Sequence, residues 1–148
     1  MASRRNFGAQ SGAPFTVNLG ASNDVANIGL VNGNNLERPN VTGDPNAGAK
    51  TAKQWFNTTA FSLPAAFTFG TARRNDVIGP TLVDLDTSLQ KEWALHESTS
   101  LQFRFDAFNL VNHPNFNLPG RILGASNFGV ITSAQDPREL QFALKLVF

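Results

Sequence analysis

The chain has 148 residues, enough for one ordinary domain, and carries 12 basic and 11 acidic residues and no cysteine. This balance gives no electrostatic basis for binding nucleic acid, and the lack of cysteine excludes disulfides and cysteine-based metal or redox sites. Thirteen Phe, 12 Gly and 8 Pro beside only 16% charged residues favour β-structure with long turns over helices.

The first ten residues show no pattern that identifies a structural element, and they are left unassigned. Their two arginines are not followed by the apolar run of a signal peptide, and no apolar stretch approaches the roughly 18 residues of a transmembrane helix. Either the chain is soluble, or the natural protein does not begin at Met1.

Residues 12–19 predict a first strand, because Phe15, Val17 and Leu19 share one face. From 20 to 80 the pattern dissolves into Asn, Gly, Asp and Pro, with turn signals such as Asn32-Gly33. This segment predicts a long loop that contains a short helix or turn near residues 55–61. A loop of that length is unusual in a compact soluble domain.

Regular alternation returns in two segments, 81–93 and 100–110, which predict two strands joined by a short turn at about 94–99. Odd positions are mostly apolar in both segments and even positions are mostly polar, so each strand has one apolar and one polar side. The polar side includes Asp84, Asp86, Arg104 and Asp106.

A loop at 111–138 leads to the last predicted strand, 139–148, in which Leu140, Phe142, Leu144, Leu146 and Phe148 share one face. About nine residues is the length that a tilted strand needs to cross a bilayer core of roughly 30 Å. The chain ends on an aromatic residue of that apolar face.

Together these elements predict an all-β chain, with about four antiparallel strands from the end of a transmembrane β-barrel and long extracellular loops. In isolation such a piece would be an open sheet. Bacterial barrels alternate short periplasmic turns with long outer loops, so a periplasmic Phe148 puts the 94–99 turn in the periplasm. The alternative is a soluble β-rich module that binds a glycan or protein through Asn/Gly-rich loops.

The barrel interpretation assigns roles to the side chains. The polar residues Asp84, Asp86, Arg104, Asp106 and Lys145 would face a water-filled lumen, because lipid disfavours unpaired ions. Trp93, near the turn end of its strand, would anchor the chain at the membrane interface.

A series of short strings occurs in a fixed order from about residue 11 to 148. They are Ser11-Gly-Ala-Pro-Phe-Thr-Val17, Arg38-Pro-Asn-Val-Thr-Gly-Asp44, Trp55-Phe-Asn-Thr-Thr-Ala-Phe61, Phe69-Gly-Thr-Ala-Arg-Arg-Asn75, Gly79-Pro80, Asp84-Leu-Asp-Thr-Ser-Leu89, Phe108-Asn-Leu-Val-Asn-His-Pro-Asn-Phe116, Asn127-Phe-Gly-Val-Ile-Thr132 and the terminal strand. Together they resemble the C-terminal end of a TonB-dependent outer-membrane receptor, of the type that often carries a carboxypeptidase-regulatory-like domain.

The resemblance implies a parent barrel of about 22 strands around an N-terminal plug, which imports a scarce ligand with energy delivered through TonB. This chain resembles only its last strands, so transport would belong to the parent. The implied partners are outer-membrane lipid, the remaining barrel and plug, and TonB through the missing N-terminal part only. No enzymatic activity, cofactor or nucleic acid is implied.

By the same resemblance, Phe142, Leu144, Leu146 and Phe148 would form the terminal signal that the barrel-assembly machinery recognises by strand addition. The location implied is the cell outer membrane.

Other candidate sites carry less weight. His96 and His113 fall on opposite sides of the predicted membrane, so they are not expected to share a metal. Asp84 and Asp86 are not expected to be a catalytic carboxylate pair, because a solvated lumen would not provide the cleft that such a pair needs.

Two further groups of loop residues have a possible ligand. Because no EF-hand spacing is present, we expect turn-forming roles rather than calcium binding for Asp24, Asp44 and Asp136. Arg73 and Arg74 would either meet an anionic ligand or remain solvated loop charges.

Overall fold

The computed structural model describes residues 2–20, 24–29 and 37–148, which are all-β apart from one 3₁₀ turn at Thr58–Ala60. The predicted all-β class is confirmed. Among these residues no helix has the length and apolar character needed to cross a membrane. The strands are β1 (Ala2–Gln10), β2 (Pro14–Phe15), β3 (Asn18–Leu19), β4 (Asn40–Val41), β5 (Phe61–Ser62), β6 (Val77–Ile78), β7 (Leu82–His96), β8 (Thr99–Phe108), β9 (Ile122–Leu123) and β10 (Glu139–Val147).

The chain divides into two compact units. Unit 1 consists of Met1–Ser11, Thr81–Asn115 and Gln135–Phe148, and unit 2 consists of Gly12–Pro80 and Phe116–Ala134.

Unit 1 is an antiparallel sheet of four strands in the order β1-β7-β8-β10. The predicted strands 81–93, 100–110 and 139–148 correspond to β7, β8 and β10. The turn is shorter than the predicted 94–99 and consists of Glu97 and Ser98, because β7 continues to His96. Alternation located these strands because successive side chains of a pleated strand point to opposite faces.

The register of β7, β8 and β10 places most apolar side chains on one face of the sheet and most polar ones on the other. Ser88 faces Asp106 on the neighbouring strand, and Lys145 faces Gln102. Leu89, Phe105 and Phe142 lie side by side on the other face. Asp84, Asp86, Arg104, Asp106 and Lys145 therefore share one face, as their spacing predicts.

The fourth strand of the sheet is not the one expected. Residues 2–10, left unassigned above, form the edge strand β1, in which Phe7 is the one large apolar side chain. The sequence of β1 shows no alternation of apolar and polar residues, because Ser3 and Arg5 share the face of Phe7. The prediction of one strand over 12–19 was wrong: this segment contains the two short strands β2 and β3, which belong to unit 2.

Unit 2 corrects the prediction that 20–80 is a long loop without a core. Its short strands pair across long stretches of chain: β2 with β6, β4 with β5, and β3 with β9 in parallel. Pairs only two residues long leave no periodicity for sequence analysis to detect. Residues 21–23 and 30–36, including the turn predicted at Asn32-Gly33, lie outside the described residues.

Phe56 is the centre of the core of unit 2. Its side chain is fully buried, and its ring contacts those of Phe15, Phe61 and Phe128 edge-on, at centroid distances of 5.8, 5.9 and 5.2 Å. Edge-to-face contacts of this kind stabilise by about 0.5–1.5 kcal/mol each beyond the area buried. The segment expected near 55–61 is thus a 3₁₀ turn that places two of these rings in the core.

Candidate membrane-facing surface and polar face

One face of the unit 1 sheet, called the apolar face, exposes large hydrophobic side chains in a continuous group. Phe142 and Leu144 are each 69% exposed, and Leu140 and Leu146 are about half exposed. Phe142 packs against Phe105 of β8 at 4.9 Å between ring centroids, so the group is ordered along the face. An exposed apolar surface of this kind is typical of contact with lipid or with another protein.

Trp93 lies on the apolar face at the end next to the Glu97–Ser98 turn and is 39% exposed. The ammonium group of Lys91 lies 4.9 Å from the centre of its ring. A cation beside an indole at one end of an apolar face suits a headgroup region, where both side chains keep their polar ends in water. Sequence analysis singled out Trp93 and missed Lys91.

On the opposite face, called the polar face, several polar side chains bond to one another. The Asp106 carboxylate accepts a 2.7 Å hydrogen bond from the Ser88 hydroxyl and forms a 2.7 Å ion pair with Arg104 Nε. Nearer the turn, the Gln102 amide donates to Glu92 at 3.3 Å. The two hydrogen bonds join side chains that the register places opposite each other, and the ion pair joins two residues of β8. This face therefore has the mixed-sign, hydrogen-bonded character of a water-facing surface.

At the end of the polar face away from the turn, the structure adds a cavity of about 460 Å³, called the acidic cavity. Four carboxylates line it, together with two asparagines. Asp84 and Asp86 were predicted to share a face, but Asp136 and Glu139 join them only through the return of the chain into β10. The lining acids are Asp84, Asp86, Asp136 and Glu139.

Asn115 fixes the floor of this cavity and was not identified from the sequence. Its side chain is 95% buried, being only 5% exposed, and pairs with the backbone of Val83 in both directions. Its Oδ1 accepts from the Val83 N–H, and its Nδ2 donates to the Val83 carbonyl, both at 2.9 Å. The Asn115 amide thus makes the two backbone hydrogen bonds with Val83 that a neighbouring strand would otherwise make.

A second asparagine turns the chain at the end of β8. Asn109 adopts a φ of 48°, a left-handed conformation that asparagine tolerates better than most residues. Its side chain accepts from the His113 N–H and donates to the His113 carbonyl, while its own N–H donates to Asp86. The repeated asparagines in 109–115 were the available signal for this turn.

The remaining candidate residues are placed as follows. His96 ends β7 beside the turn, and His113 lies beyond the other end of β8, next to Asn115 at 3.1 Å. Asp44 caps a turn by accepting from the Asn46 N–H. In the described ranges, no three His, Asp or Glu side chains group as metal ligands would.

Asp24 accepts backbone N–H groups from Ile28 and Gly29 at 2.9 and 2.8 Å. The Ile28 bond, above all, lowers the pKa of this carboxyl below its ordinary value, because it stabilises the ionised form. The arrangement is that of a loop closed by one carboxylate.

The comparisons with known proteins gave one result. A family model described as an outer membrane beta barrel domain matches residues 4–141. No curated protein and no solved structure matches the chain. The matched range includes β7 and β8 in full, most of β1 and the first three residues of β10. The chain therefore belongs to the outer membrane beta barrel domain family, and its location is the outer membrane.

Proposed function

We propose that the chain is the C-terminal segment of a TonB-dependent receptor barrel, and that it contributes to ligand uptake by a larger parent protein. The family fixes the membrane and the barrel, and the resemblance described above supports the receptor type. An outer-membrane location argues against the soluble module considered as the alternative. In this proposal the segment is not an enzyme and needs no cofactor.

The observation that carries the proposal is the open four-stranded sheet. Within the described residues, β1 and β10 each pair with one strand only, so each has a free edge. In hydrocarbon, unpaired backbone groups cost several kcal/mol each, and barrels avoid this cost by closing. The sheet therefore needs further strands on both sides, which a large parent barrel would supply.

The two faces then have distinct partners. The apolar face would contact outer-membrane lipid, with Trp93 as its interface anchor. The polar face, with Asp84, Asp86, Arg104, Asp106 and Lys145, would face the lumen and the plug. Phe142, Leu144, Leu146 and Phe148 would supply the signal for the barrel-assembly machinery. TonB would act through the N-terminal part of the parent, and no nucleic acid is involved.

The receptor type is tested by reading the DNA upstream of the Met1 codon in frame. We expect an open frame of several hundred codons that encodes a plug domain and a signal peptide. A stop codon close upstream, behind a ribosome-binding site, would contradict the receptor assignment and would leave the family membership intact.

The orientation is tested by labelling, because the chain has no cysteine of its own. Ser98→Cys places a thiol in the short turn, and Lys53→Cys places one at an exposed position of the long connection. In intact cells a membrane-impermeant maleimide should label the second variant and spare the first. Permeabilised cells, in which both should react, provide the control; labelling of Ser98→Cys in intact cells would reverse the orientation.

A further inference from the structure

Unit 2 contains a cavity of about 560 Å³ that three arginines line, called the arginine cavity. From this cavity we infer that unit 2 binds a small organic anion that carries two or more carboxylate or phosphate groups. Its lining contains no acidic residue. The residues that line it are Pro14, Phe15, Thr16, Asn18, Arg38, Arg74, Asn75, Leu118 and Arg121.

The three arginines come from distant parts of the sequence, and the segment 14–19 brings them together. The Thr16 hydroxyl accepts from the Asn75 N–H at 2.9 Å, which fixes the turn that carries Arg74. The Asn18 N–H donates to the carbonyl of Arg121 at 3.0 Å.

The same segment also fixes the third arginine. The Leu19 N–H donates to the carbonyl of Glu37, the residue before Arg38, at 2.9 Å. On the other side, Gly70 packs so closely on the Arg38 and Pro39 backbone that a Cβ would overlap it. Each arginine thus projects from a backbone that is held in place.

The guanidinium groups are available to a ligand. Among the described residues, no carboxylate lies within ion-pair distance of Arg38, Arg74 or Arg121. The acids of unit 2 are instead engaged with backbone: the buried Glu37 carboxylate accepts from the Val25 and Ala26 N–H groups. Asp24 and Asp44 close turns, as described above.

Three arginines line one cavity, and none has a carboxylate in ion-pair range in the described part of the chain. This indicates an anion that bears more than one negative charge. A guanidinium presents parallel N–H donors that match the two oxygens of a carboxylate or phosphate. The ring of Pro14 and the 46% exposed Leu118 give the same cavity an apolar wall, which suits a carbon skeleton better than an inorganic ion. The volume is within the range of small-molecule sites.

The next residue in the sequence provides a matched control. Arg73 is exposed and carries the same charge as Arg74, but it does not line the cavity. Arg73→Gln and Arg74→Gln therefore remove equal charge from adjacent positions, and only the second removes a donor from the site. Arg121→Gln is a second test of the site from another segment of the chain.

The experiment is a calorimetric titration of the full chain in non-ionic detergent at low ionic strength. Citrate tests polycarboxylates, fructose 1,6-bisphosphate tests organic phosphates, and sucrose is the neutral comparison. We expect saturable binding of at least one anion, and a loss of about tenfold in affinity for Arg74→Gln and for Arg121→Gln, since each removes charged hydrogen bonds. Arg73→Gln should bind like the wild type.

Near-ultraviolet circular dichroism, to which Trp55 beside the core of unit 2 contributes, reports whether each variant keeps the wild-type packing. Absence of saturable binding by either anion would overturn the inference, and so would an equal loss in Arg73→Gln and Arg74→Gln, which would indicate general charge attraction. Because the titration involves neither TonB nor transport, its outcome is independent of the receptor assignment.

Discussion

Replacing Phe142 with arginine is expected to destabilise the membrane-inserted sheet by about 2–4 kcal/mol, the cost of a lipid-facing cation near the bilayer midplane. Phe142 lies in the middle of β10, on the apolar face, and is 69% exposed. Its neighbours on that face are Phe105 and, one strand further, Leu89, so the side chains nearest in the register are apolar.

The preceding residue, Gln141, provides a matched control for the substitution of Phe142. Gln141 lies at nearly the same depth but on the polar face, opposite Asp106. Gln141→Arg should therefore change the free energy of unfolding by no more than about 0.5 kcal/mol, as is usual for a surface substitution. Phe142→Leu, which keeps an apolar side chain but loses the ring contact with Phe105, should cost at most about 1.5 kcal/mol.

The measurement is guanidinium unfolding, in lipid vesicles, of the parent barrel that contains this segment, followed by tryptophan fluorescence. Similar losses for Phe142→Arg and Gln141→Arg would mean that the two faces share one environment, and would refute the assignment of the apolar face to lipid.

Replacing Asn115 with leucine is expected to cost about 2 kcal/mol, since the Val83 N–H and carbonyl would both lose their partner. Leucine has nearly the shape of asparagine, so the change removes hydrogen bonds with little change in packed volume. The loss should be local at first: β7 should fray at its Val83 end, and Asp84 and Asp86 should lose their fixed positions in the acidic cavity.

Amide hydrogen exchange at Val83 measures this effect directly, and a thermal melt gives its global cost. Gln135→Leu is the matched control, because Gln135 also lines the acidic cavity but bonds to Asn115 through its backbone N–H. Unchanged exchange at Val83 in Asn115→Leu would show that water replaces the amide and that the pairing contributes nothing to stability.

The prediction for Phe142 relies on features that the sequence itself determines. Alternation places Phe142 and Gln141 on opposite faces, because side chains of a strand alternate whatever the strand packs against. The same rule located β7, β8 and β10 and put Asp86, Arg104 and Lys145 on one face. It failed for β1, where Arg5 interrupts the apolar side, and pairing with β7 outweighs that weak local signal.

The prediction for Asn115 relies on contacts that only the tertiary structure decided. Val83 and Asn115 are 32 residues apart. The ring of Phe56 packs against Phe15 and Phe128, which come from segments distant in the sequence on either side of it. Strands of two residues are too short to show an alternation of apolar and polar residues, so the sequence of 20–80 did not predict a core.

The arginine cavity shows the same division. The sequence offered Arg74 as a candidate for an anion and gave no reason to prefer it to Arg73. The choice between them depends on the hydrogen bond from the Asn75 N–H to Thr16, which fixes the turn that carries Arg74. Local sequence thus determined which side of each strand is apolar, because that depends only on the pleat. Folding decided which distant residues meet, because long-range pairing has no local signature.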